Sequence, residues 1–113
     1  LLPFRGIRLW FDIEEESQDS PATLGAALRR QIERVQSEGR PVGIYTSRWK
    51  WASIMGDYDG FADLPLWDAH YDGQDNFDDF VPYGGWTRPR MKQYAANSEV
   101  VPGLTADLNI YRR

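Results

Sequence analysis

Two carboxylates stand two residues apart at the end of an apolar run, Asp12 and Glu14 in Leu9-Trp10-Phe11-Asp12-Ile13-Glu14. Ile7 to Ile13 reads as a buried strand, whose side chains alternate between two faces. Trp10, Asp12 and Glu14 then share one face, with the two acidic Cα atoms roughly 7 Å apart at ~3.3 Å per residue. Phe11 and Ile13 take the other face. Such a pair suits acid-assisted bond cleavage: a carboxyl in a dry site keeps its proton, while its ionised partner stabilises developing positive charge. Trp10 would supply the dry surroundings for Glu14. The same acids, solvated or paired with nearby arginines, would do no chemistry, and an Asp-x-Glu triplet is common enough for that reading to stand beside the first. Glu15 and Glu16 read as solvated.

The rest of the sequence narrows the chemistry. No Cys is present, which removes disulfides and Cys zinc sites, and one His argues against a multi-His metal site or a Ser-His-Asp hydrolase. That His, His70, reads as a packed or edge residue. Acid–base work therefore falls to carboxylates. The net charge is −4, and no Lys/Arg-rich run offers a nucleic-acid footprint. No apolar stretch approaches the ~20 residues of a membrane span, and no signal-peptide pattern is seen. Asp72, Asp75, Asp78 and Asp79 carry calcium-type oxygens, but not at EF-hand spacing. A solvated acidic loop is expected there, with no metal and no cofactor.

The elements that must position these residues fit one domain of 113 residues, with 42% hydrophobic content and five Trp to build a core. Leu1 to Gly6 reads as an irregular lead-in, since it holds Pro3 and Gly6. After the acidic loop from Glu14 to Asp19, Ser20 and Pro21 signal a helix start. Leu24, Ala27, Leu28, Ile32 and Val35 follow a 3.6-residue period, and Gly39 with Pro41 ends the helix. Val42 to Thr46 is a second strand, and strand–helix–strand with tight joints implies parallel pairing with a right-handed crossover. Ser47 caps a short helix through Met55, in which Trp49 and Trp51 read as core or shell packing. Residues 56–60 are a turn. Leu64 to Tyr71 is a third strand candidate, with Pro65 near its start. Asp72 to Arg90 is a long loop, and Met91 to Ala95 a fourth strand. Asn97 to Thr105 is a turn region, and Asp107 to Tyr111 the last strand. The pattern is regular β/α at first and mostly β afterwards.

Five pieces, in order, resemble the glycoside hydrolase family 25 lysozymes, the Chalaropsis-type muramidases. They are LWFDIE, GIYTSRWKW, LPLWDAHYD, PYGGWTRPRMKQYAA and VPGLTADLNIYR. The resemblance implies an α/β fold: the second half of a modified TIM-like β/α barrel whose last strands lack regular helices. It implies hydrolysis of the β-1,4 bond between N-acetylmuramic acid and N-acetylglucosamine in peptidoglycan, outside the cytoplasm after secretion or lysis, without metal or cofactor. By position, Glu14 would be the general acid. Asp12 would stabilise the oxocarbenium-like state or position the 2-acetamido group. Asp107 would be a further acid in the cleft, or simply end its strand. Trp10, Tyr45, Trp67, Tyr71, Trp86 and Tyr94 would meet sugar faces, although a small core needs such rings too.

The family's barrel is nearly twice as long, and its first strand carries another active-site Asp that has no counterpart here. The chain begins Leu-Leu-Pro-Phe rather than with Met, so it reads as a processed product or a piece of a longer protein. About five strands cannot close an eight-stranded barrel. The resemblance therefore implies that an amino-terminal half-barrel, or another protein, covers an open edge. An inactive half-barrel that binds glycans or assembles with a partner is the alternative.

Overall fold

The computed structural model describes residues 7–112. The lead-in expected over residues 1–6 lies outside the described residues. The strand around the acidic pair is shorter than the apolar run: β1 covers Leu9–Asp12. Helix α1 follows over Pro21–Ser37, with the Ser20 hydroxyl accepting the Thr23 N–H at 3.2 Å. Gly39 takes a left-handed φ of 82° just past its end. Strand β2 is Val42–Thr46. Helix α2 is Arg48–Met55, capped by Ser47 and closed by left-handed Gly56. Strand β3 is Leu66–Ala69, with Pro65 immediately before it, so only the middle of the expected run pairs.

The five strands form one sheet in chain order. Strands β1, β2, β3 and β4 (Met91–Val101) pair in parallel, and β5 (Leu104–Tyr111) returns antiparallel to β4. The expected turn region over residues 97–105 is thus mostly strand. It tightens to a hairpin at Pro102 and Gly103, and Gly103 has φ 81°. Register shifts interrupt the hairpin near Ala95 and Ser98, with Asn97 left-handed.

One face of the sheet is closed by α1, α2 and the aromatic segments 58–64 and 80–86. Ile32, Val42, Ile44, Trp51, Ile54, Met55, Phe61, Leu66, Tyr83 and Trp86 form the core. The buried indoles are satisfied, since Trp51 Nε1 donates to Tyr58 O at 2.8 Å and Trp86 Nε1 to Leu64 O at 2.9 Å. Trp49 does not pack as expected: it is 74% exposed, with the Arg48 guanidinium over its ring. Two residues along a helix turn the side chain by about 200°, so Trp49 points away wherever Trp51 points in.

On the opposite face, Gly43 lies beside Trp10 in register. A Cβ at Gly43 would meet the Trp10 ring at 2.4 Å and the Pro65 carbonyl at 3.1 Å. Gly43→Ala should therefore displace the Trp10 indole and cost about 1–3 kcal/mol. Urea unfolding followed by Trp fluorescence measures both. Wild-type stability with unaltered emission would contradict this packing.

Candidate active site

The face that carries Trp10, Asp12 and Glu14 floors an open cleft of about 560 Å³. Two hydrogen bonds fix the chain just before Glu14. Ile13 N–H donates to Tyr45 O at 2.9 Å, and Thr46 Oγ1 donates to Ile13 O at 2.7 Å. Parallel pairing sets Asp12 beside Tyr45 and Tyr45 beside Trp67. The rings meet edge to face, with centroids 5.6 Å apart for Trp10–Trp67 and 4.7 Å for Tyr45–Trp67. Trp67 Nε1 donates to Asn109 Oδ1 at 2.8 Å, joining β3 to β5 across the cleft.

Of the residues expected at the site, the cleft brings together Trp10, Asp12, Glu14, Tyr45, Trp67, Tyr71 and Asp107. Asp107 spends one carboxylate oxygen on the Asn97 N–H at 3.0 Å, so it also holds the hairpin bulge. Trp86 is elsewhere: it is 3% exposed in the core, packed edge to face on Trp51, and no sugar can reach it. Tyr94 does not line the cleft either; its carbonyl accepts the Gly73 N–H. Its neighbour Gln93 faces the cleft instead. Gln93 Oε1 accepts the hydroxyls of Tyr45 and Tyr71, the latter at 3.1 Å. Gln93, Asn97 and Asn109 were not anticipated from sequence. Period-two counting from Trp67 through the β3–β4 register would have pointed to Gln93, but that register was not available from sequence.

The loop that delivers Tyr71 is anchored from beneath. Lys92 is 2% exposed, and its ammonium lies 2.8 Å from Asp72 Oδ1. It also donates to the carbonyls of Gln74 at 3.0 Å and Asn76 at 2.9 Å. Burial would raise the Asp72 carboxyl, but the hydrogen bonds from Lys92 and the Gln74 N–H, with the charges of Lys92 and His70, hold it below the usual range. Asp75, Asp78 and Asp79 stay exposed. His70 is an exposed edge residue, 3.7 Å from Asp72. Glu15 and Glu16 are exposed, with Glu16 tied to Lys50 at 3.3 Å and Ser53 at 2.5 Å.

The electrostatics separate the two carboxyls. A side-chain hydrogen bond with Asp12, then burial, then repulsion by the Asp12 charge push Glu14 up to about 7 against the pull of Lys50. Glu14 itself is exposed, so the Asp12 hydrogen bond outweighs the effect of drying. Burial, followed by the hydrogen bond with Tyr71, holds the Tyr45 hydroxyl protonated far above an ordinary tyrosine. The cleft thus offers a carboxyl that keeps its proton into the neutral range, a second carboxyl beside it, and a floor of aromatic rings.

A family model described as Lysozyme-like protein 1 matches residues 5–94. The "Probable GH family 25 lysozyme 5" of Dictyostelium discoideum is 42% identical over 107 residues. The chain belongs to the glycoside hydrolase family 25 lysozymes. The alignment with that relative covers 91% of this chain and 49% of the relative, so the chain spans about half the length of the curated relatives it matches. Among solved structures, the family 25 lysozyme from Aspergillus fumigatus superposes with a TM-score of 0.75 at 20% identity, over 92% of this chain and 50% of that one. The muramidase from Trichobolus zukalii gives a TM-score of 0.74 at 22% identity, over the same shares. The five strands and two helices are therefore the second half of a modified β/α barrel.

A glutamate whose pKa is higher folded than unfolded stabilises the fold fully below its ordinary value of 4.5, and that contribution is lost as pH rises through about 7. Asp12→Asn removes the neighbouring charge. The Glu14 carboxyl, followed by ¹³C NMR, should then titrate well below about 7, towards 4.5. A midpoint left near 7 would mean that Asp12 is not the cause.

Proposed function

We propose that the protein containing this chain is a muramidase that cleaves the β-1,4 bond between N-acetylmuramic acid and N-acetylglucosamine, with Glu14 as general acid and Asp12 as the stabilising carboxylate. The observation that carries this reading is the Asp12–Glu14 pair on the floor of an aromatic cleft, where the neighbouring Asp12 pushes Glu14 up to about 7. Glu14 donates its proton to the glycosidic oxygen as the C–O bond breaks. Positive charge then grows on the sugar ring, and the Asp12 carboxylate stabilises it or orients the sugar's own acetamido oxygen towards it.

Asp12 and Glu14 stand two residues apart on one wall of the cleft, rather than facing each other across it. The usual two-sided arrangements hold their carboxyls about 5–5.5 Å or about 6.5–9.5 Å apart. Asp12 therefore acts from the same side as the acid. Trp10 and Trp67 supply flat faces for pyranose rings, while Asn109 and Gln93 fix the orientation of the surrounding groups. Asp107 faces the same cleft as a third acid. The substrate is a peptidoglycan-type amino-sugar polymer, met outside the cytoplasm after secretion or lysis. No helix among the described residues is long and apolar enough to cross a membrane.

An amino-terminal half-barrel would join at the β1 edge. Strand β1 ends the sheet, and a concavity of about 590 Å³ lies beside it, lined by Ile13, Leu24, Leu28, Ile54 and Met55. Asp12 and Glu14 border both this concavity and the cleft. The open edge also supports the second reading, an inactive half-barrel that binds glycans or a partner protein.

The deciding experiment uses the whole protein on bacterial cell walls. Glu14→Gln should cut clearing by roughly 10²–10⁴-fold without altering the circular dichroism spectrum. Wild-type activity should fall as pH rises through about 7, where Glu14 loses its proton. Clearing retained by the variant would remove Glu14 from the mechanism. A wild type that binds walls and never cleaves them would favour the inactive half-barrel.

A further inference from the structure

The end of the sheet opposite the cleft gathers arginines. Arg8 precedes β1, Arg90 precedes β4 and Arg112 follows β5, so strand pairing brings three cations to one pole. Arg112 N–H donates to Arg90 O at 2.8 Å, and Arg90 N–H donates to Leu66 O at 2.8 Å. Arg88, Arg90 and Arg112 line one concavity of about 340 Å³, with Asp63 and Thr87 in its wall. Among the described residues, none of the four guanidiniums has a carboxylate within ion-pair distance, Asp63 included. The sequence holds 17 Asp and Glu against 13 Lys and Arg, so counter-charges are plentiful and the fold places them elsewhere.

Two of the four side chains are already fixed. Arg8 Nη1 donates to Val42 O at 2.7 Å. Arg112 Nε donates to Pro89 O at 3.3 Å, with its guanidinium 4.3 Å from the Phe77 ring centre. Burial, then the charge of Arg90, draw Arg8 below the ordinary arginine value. Gathering like charges is unfavourable unless an anion offsets them, and pre-ordered guanidinium forks match the oxygens of a phosphate.

We propose that this arginine pole is a binding site for a phosphate ester. Its natural source is a phosphodiester polymer attached to the cell wall; that choice of source rests on the muramidase reading, whereas phosphate binding itself does not. The concavity is larger than a bare ion and leaves room for the groups on either side of a phosphodiester. A net charge of −4 disfavours nucleic acid, which is held by many cations along its length. With the site at the far end of the strands from Glu14, the polymer would be held while the cleft stays free to act on the glycan.

The test uses the full-length protein. Inorganic phosphate, added up to about 10 mM as suits a millimolar site, should shift the Arg88 and Arg90 Nε–H resonances in ¹⁵N NMR and raise the melting temperature. Arg88→Ala/Arg90→Ala, both at exposed positions, should weaken phosphate binding about tenfold or more and leave hydrolysis of peptidoglycan stripped of its phosphodiester polymer unchanged. Binding of the wild type to cell walls should fall when their phosphodiester polymer is stripped. If phosphate binds and stripping has no effect, the site stands and the polymer source is overturned. No phosphate shift, or phosphate binding untouched by the double variant, overturns the site, and preferential binding to anionic phospholipid vesicles overturns the polymer source. A catalytically inert wild type that still binds phosphate through Arg88 and Arg90 would remove the muramidase reading and leave the site intact.

Discussion

Strand β2 is hydrogen-bonded on both edges, to β1 and to β3, and that double constraint decides what every neighbouring side chain can do. Val42, Ile44 and Thr46 go into the core, while Gly43 and Tyr45 face the cleft. Parallel register carries the choice sideways, so Asp12, Tyr45 and Trp67 form one row, and Phe11, Ile44 and Leu66 another. A slip of one residue would exchange the faces, sending Asp12 into the core and Phe11 into the cleft. Catalytic geometry and apolar burial therefore depend on the same pairing. The bare Cα of Gly43 belongs to this arrangement, since it lets the Trp10 indole lie against β2.

Polar groups on the helix-covered face follow a stricter rule, because burial without a partner is costly. Lys92 meets it with a carboxylate and two carbonyls. Asp68, 4% exposed, accepts the Tyr83 hydroxyl at 2.6 Å, and burial raises its carboxyl above the ordinary range. Both lie one residue from cleft-facing positions, Lys92 beside Gln93 and Asp68 beside Trp67. Holding these polar anchors in place also fixes the strands that present the cleft, so the second layer orients the first without touching the ligand.

Local chemistry made the first half of the chain readable. Ser20 with Pro21, Gly39 with Pro41, and Ser47 each end or begin an element by a short-range mechanism, and α1, β2 and α2 start and stop beside them. The acidic pair was equally readable, since alternation along one strand is enough to put Asp12 and Glu14 together. The second half depends on contacts distant in sequence. Lysine ordinarily marks solvent, yet Lys92 is enclosed by a loop some twenty residues away. Aromatic residues carry the same signature in a core and on a sugar-facing wall, so Trp86 and Trp67 could not be told apart until the sheet placed them. Residues 97–105 read as a turn because Pro102-Gly103 sits there and that end of the hairpin is almost wholly exposed, so no core imposes a pattern on it.

That hairpin gives the cleft two walls of unequal stiffness. The β1–β3 wall is backed by helices and a packed aromatic core, whereas β5 has no fully buried residue and Val100, Val101 and Leu104 at the hairpin end are about half exposed. A segment with so little buried surface opens locally at far lower free energy than the core does. Asp107 and Asn109 ride on that compliant side, and Asp12 and Glu14 on the rigid one. A bulky polymer entering the groove can therefore be accommodated by outward bending of the hairpin, while the proton donor keeps its position.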